Sequence, residues 1–124
     1  MLKAVQTIAY ETGTGTATRT GFTETPGGGT ITSTYHYTKI GRLVFLNITL
    51  TCSGGATIGA GPSGTAAFIN LPFASPQYAI GEYMNTSNLS TTGPVGMISS
   101  TMYVCGAGFA SSSDPYSFSV VFNV

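Results

Sequence analysis

From Arg42 to Cys52 the chain reads RLVFLNITLTC, and its apolar residues alternate along it. Val44, Leu46, Ile48, Leu50 and Cys52 fall on one side; Leu43, Phe45, Asn47, Thr49 and Thr51 fall on the other. A period of two sends successive side chains to opposite faces of a strand. One face here is wholly apolar, and the second begins apolar and turns polar, as a face partly covered by a neighbour does. The C-terminal YSFSVVFNV repeats the pattern. Tyr116, Phe118, Val120, Phe122 and Val124 alternate with Ser117, Ser119, Val121 and Asn123. So apolar a row must pair into a sheet.

Weaker alternation predicts strands over 2–9, 15–23, 30–38, 65–71, 77–83 and 96–105. Turn-forming clusters separate them: TPGGG at 25–29, SGG at 53–55, GAGPSG at 59–64, LPFASP at 71–76, NTSN at 85–88 and SSSDP at 111–115. No segment has a helical period, and no repeat or domain boundary interrupts the chain. The expectation is an all-β, single-domain antiparallel β-sandwich or jelly roll of about eight strands over residues 1–124. Residues 1–10 are expected to be an edge strand or a docking arm.

Composition narrows the class of function. Charged residues make up 6% of the 124 and the formal net charge is zero, where an ordinary domain carries about 25% charged residues. Thr, Ser, Gly and Asn have replaced the missing charge. Such a surface has no basic field to hold nucleic acid, and its copies repel one another little. No apolar run is long enough for a membrane-spanning helix, so membrane insertion is not expected. MLKAVQTIAYE lacks the apolar block of a signal peptide.

Few residues could carry chemistry. The one histidine, His36, stands close to Lys39 and Arg42. Catalysis there would need an acid such as Glu11, Glu24, Glu82 or Asp114 to orient the imidazole beside a serine, and no serine sits in a nucleophile elbow. GAGPSG matches the glycine spacing of a dinucleotide loop, with Glu82 beyond it. Pro62 interrupts it, however, and the adjoining TAAFINLPF reads as strand where that fold needs a helix. Cys52 and Cys105 are too few for a zinc site. They read as small buried strand residues, with a single disulfide as the alternative. Asn47, Asn85 and Asn88 open N-x-[ST] triplets of the kind expected by chance in so Ser/Thr-rich a chain. Among seven tyrosines and seven phenylalanines, Tyr78 and Tyr83 lie near glycines and turns and are the expected exposed aromatics. The expectation is a non-enzymatic protein without cofactor or metal.

If 30–38 and 42–52 pair as a hairpin, its connection falls at Lys39-Ile40-Gly41. His36 then lies on the face opposite Ile31, Tyr35 and Tyr37, and is expected at a subunit interface. The stretch TITSTYHYTKIGRLVFLNITLTCSGG, with GTAAFINLPFAS after it, resembles a module of tailed-phage structural proteins, especially tail-fibre tips. The matching residues are Tyr35, Tyr37, Thr38, Lys39, Ile40, Gly41 and Val44, then Leu71, Pro72 and Phe73. The resemblance runs over about residues 10–83. It implies a β-sandwich, usually a homotrimer, displayed on a virion surface after synthesis in the host cytoplasm. Fibre proteins ending in this module usually carry a long shaft, and these 124 residues contain none. The expectation is therefore a trimeric capsid decoration (cement) protein bound to the major capsid protein. A receptor-binding tip recognising a host surface glycan or protein, through loops 53–64, 85–94 and 106–115, is the alternative.

Overall fold

The structure, a computed structural model, describes residues 9–124. Residues 2–8 of the first expected strand, and with them most of the expected arm, lie outside the described residues. The described residues form strands and turns without a helix. In chain order the first six strands are β1 (Tyr10–Thr16), β2 (Thr18–Thr20), β3 (Thr23–Thr25), β4 (Thr30–Ile40), β5 (Leu43–Ser53) and β6 (Thr57–Ala60). The other six are β7 (Ala67–Ile69), β8 (Ser75–Asn85), β9 (Thr92–Ser99), β10 (Thr101–Val104), β11 (Phe109–Ser112) and β12 (Tyr116–Asn123).

Nine strands form one sheet in the order β1-β4-β5-β12-β8-β9-β10-β7-β2, and β11-β6-β3 form a second. Every pairing is antiparallel. The two ends of the large sheet, β1 and β2, are joined in the chain by the single residue Ala17. One bent segment therefore pairs with β4 on one side and with β7 on the other. The sheet curls until its ends meet at Ala17, and the three-stranded sheet covers the remaining side. The fold is all-β, a nearly closed, barrel-like sandwich.

The two strongest alternating segments line its interior. Val44, Leu46, Ile48 and Leu50 of β5 and Tyr116, Phe118, Val120 and Phe122 of β12 are buried. The two strands pair from Tyr116 opposite Leu50 through Asn123 opposite Leu43. Phe68, Met97, Met102, Val104, Ile58 and Phe109 complete the core from the other walls. Its aromatic centre includes Phe109 stacked on Tyr116 at 4.2 Å and Phe118 set edge-on to Phe68 at 4.9 Å. Phe118 is fully enclosed, a position where truncation to alanine typically costs about 3–5 kcal/mol.

The expected hairpin is β4–β5. Its connection is Gly41-Arg42, because Ile40 still pairs with Leu43; this lies one residue beyond the predicted turn. Gly41 has φ 60°, the left-handed conformation that a two-residue hairpin turn requires at its first position. Three other expectations differ. The segment 15–23 is divided between β1 and β2 by the bend at Ala17. The segment 96–105 is a tight hairpin rather than one strand: Ile98 pairs with Thr101, and Ser99 takes φ 54°. β6 and β11 occupy stretches read as loops, because strands of four residues are too short to show an alternation.

Candidate interaction surface

The outer face of the large sheet arises from the same period of two. Residues between the core positions of β4, β5, β12 and β8 point outward, and the pairing registers place them in lateral rows. One row runs Thr14–His36–Asn47–Ser119–Glu82. Asn47 Nδ2 donates to Ser117 Oγ at 2.6 Å and to Ser119 Oγ at 2.8 Å, which ties the middle of the row together. The next row runs Thr38–Phe45–Val121. Phe45 is 43% and Val121 48% exposed, and Ile80, two residues from Glu82 on β8, is 80% exposed. Beyond them stand Tyr78, 77% exposed, and Ile98. Among the described residues, most of the large apolar side chains left in solvent thus share this face.

Shallow grooves run between these side chains. One is lined by His36, Phe45, Asn47, Ser119 and Val121. A second, at the end of β8, has Arg42, Gln77, Tyr78 and Asn123 on its walls. Arg42 is held there by donating from Nε to the carbonyl of Val124 at 2.8 Å. A third, almost wholly apolar, lies among Ile80, Ile98, Tyr103 and Cys105.

The residues singled out from the sequence separate into two sets. His36 is exposed on this outer face. Tyr35 and Tyr37, on the opposite side of β4, pack against the core, and Tyr37 meets Phe73 edge-on with ring centroids 4.8 Å apart. The two halves of the sequence motif are therefore in direct contact. Leu71 is buried and its backbone N–H donates to Ser100 O at 3.0 Å; Pro72 is exposed. In the hairpin, Thr38 and Lys39 are half-buried and Ile40 is exposed.

Tyr83 corrects an expectation. It is 2% exposed, with its hydroxyl donating to Gly108 O at 2.9 Å and its ring among Phe109, Tyr116 and Phe118. Its position in β8 alternates with Glu82, so the register turns it inward. Burial, with a smaller contribution from Tyr116, pushes its phenol above the usual tyrosine range. Tyr78, earlier in the same strand, is the exposed one.

Cys52 and Cys105 are both half-buried free thiols, and burial raises the Cys52 thiol above its ordinary value. Gly59 and Ala60 of GAGPSG end β6, and the next element after its last glycine is the strand β7, not a helix. Among the described residues no group of three His, Cys, Asp or Glu side chains converges to hold a metal ion, and the one salt bridge is Arg19–Glu24 at 3.0 Å.

The sequence signals this surface only faintly. Phe45 and Val121 interrupt the polar rows of β5 and β12, but that the two stand side by side depends on the strand pairing. In comparisons with protein-family models, curated proteins and solved structures, nothing matched the chain.

Proposed function

We propose that the chain is a non-enzymatic structural protein of a tailed-phage virion, a homotrimer that decorates the outside of the head and binds the major capsid protein. The observation that carries this reading is the paired motif. The Y-T-K-I-G strand and the Leu-Pro-Phe corner resemble the phage module in sequence, and here Tyr37 and Phe73 bring them into contact. The surface agrees with such a role. A protein that must lie against neighbours on a shell gains from faces poor in charge, since desolvating charges on assembly is costly. Charged residues are 6% of this chain, and its outer sheet face carries exposed Phe45, Val121 and Ile80. The reading needs no cofactor, nucleic acid or membrane.

The test is the stoichiometry of the purified particle. A copy number comparable to that of the major capsid protein, with heads that rupture more readily when the protein is deleted, is the expected result. A few copies located at the tail would overturn it in favour of a receptor-binding tip. One observation favours that second reading. The ring of Tyr78 stands in solvent beside Arg42, Gln77 and Asn123, a mixture of aromatic and hydrogen-bonding groups that suits a sugar.

A further inference from the structure

We infer that the outer face of β4, β5, β12 and β8 is the surface on which a second copy of this chain sits, with His36 of one copy against Glu82 of the next. The inference rests on the homotrimer of the proposed function and names the surface that builds it. Within the row that runs from Thr14 to Glu82, His36 on β4 and Glu82 on β8 are separated by Asn47 and Ser119. Neighbouring strands are about 4.8 Å apart, so the two residues are roughly 14 Å apart. That is well beyond ion-pair distance within one copy.

The row thus presents an imidazole, with an N–H donor, at its β4 end and a carboxylate, an acceptor, at its β8 end. Uncharged Asn47 and Ser119 lie between them, and apolar Phe45 and Val121 lie alongside. A partner that offers only acceptors, or only donors, would match one end of the row and leave the other unpaired. A second copy matches both, because its β8 end presents the acid that the β4 end of the first requires. A rotation axis running along the strands brings these ends together head to tail, and a three-fold closes the ring. Phe45 and Val121, on the central strands β5 and β12, then converge on the axis. Zero net charge on the chain leaves little repulsion to oppose the contact.

The experiment measures self-association of the full chain by native mass spectrometry and sedimentation at micromolar concentration, with circular dichroism to confirm folding. The wild type is expected to be a trimer. Val121→Glu, at a half-exposed position, is expected to give folded monomer. His36→Glu sets two carboxylates against each other and is expected to weaken association by about tenfold or more. Adding Glu82→Lys to His36→Glu restores opposite charges and is expected to recover most of the loss, which a merely structural role for His36 would not allow. A wild-type trimer that persists unchanged in Val121→Glu and His36→Glu overturns this surface and leaves the homotrimer standing. A wild-type monomer overturns both.

Discussion

Tyr37 sits directly across the strand pair from Gly13 while its ring meets the edge of Phe73 at 4.8 Å. A side chain at Gly13 would come within 2.5 Å of the Tyr37 ring, so the glycine is what lets the ring lie flat over β1. The same arrangement recurs where Tyr35 covers Gly15 and Tyr83 covers Gly93. A large ring spread over a bare glycine backbone buries apolar surface that neither strand could bury alone.

Tyr37 and Phe73 should therefore be energetically coupled. A double-mutant cycle of Tyr37→Leu and Phe73→Leu in urea unfolding is expected to give a coupling of about 0.5–1.5 kcal/mol, the range found for aromatic pairs. Gly13→Ala is expected to destabilise and to shrink that coupling, because its Cβ displaces the Tyr37 ring. A Gly13→Ala chain as stable as wild type would contradict this account.

Alkaline stability should track Tyr83. Its phenol is raised by burial and by Tyr116, so the folded state holds the proton more tightly than the unfolded chain does. The stabilisation is fully present below the ordinary tyrosine value of about 10 and declines as pH rises through the higher folded value. Tyr83→Phe loses the bond to Gly108 O, at a cost of about 1 kcal/mol at neutral pH. Its stability is expected to fall less steeply than that of wild type above pH of about 10. Chemical denaturation at several alkaline pH values measures both slopes; equal slopes would refute the assignment.

Asn85 ties the ends of two loops together. It is buried; its Nδ2 donates to Asp114 Oδ2 at 2.9 Å, and its Oδ1 accepts from the backbone N–H of Ser87 at 2.8 Å. Asn85→Asp keeps the shape but faces Asp114 with a second carboxylate. The variant is expected to lose about 1–3 kcal/mol at neutral pH and to recover part of it as pH falls into the carboxylate range and one acid is protonated. Asn85→Ala should lose stability without that recovery. Thermal melts of both variants between neutral and acid pH separate the two behaviours.

Much of this fold is legible in the sequence wherever alternation is long. The eleven-residue β5 and eight-residue β12 show their buried faces plainly, and the β4–β5 hairpin is announced by Gly41 between two such runs. Legibility fails where a strand is too short for a period, as in β6 and β11, or where a chain reversal has only weak turn residues. Ile98-Ser99-Ser100-Thr101 reverses without Gly, Pro or Asn, and its two serines do not stand out in so Ser-rich a chain. Tyr83 misleads because proximity to a glycine suggests a surface, whereas strand register decides which way a residue points. The outer face depends most on tertiary structure. His36 and Glu82 are far apart in sequence, and only the order β4-β5-β12-β8 sets them in one row.

The backbone also holds strain that a substitution can release. Leu89, between the ends of β8 and β9, has φ 59° and is 66% exposed. A left-handed conformation costs a residue with a Cβ about 1–2 kcal/mol, and a side chain so exposed returns little by burial. The turn is already held by Asn85 and Asn88, whose side-chain oxygens accept backbone N–H groups from Ser87 and Ser90 at 2.8 and 2.9 Å, so it does not depend on the leucine. Leu89→Gly removes the clash, although glycine also raises the entropy of the unfolded chain. The net expectation is a gain of about 0.5–1 kcal/mol, or a few degrees in Tm for a domain of this size. Leu89→Asn, which tolerates the same conformation, should gain a similar amount. Calorimetry of the two variants decides the matter, and a fall in Tm for both would overturn the reading of Leu89 as a strained residue.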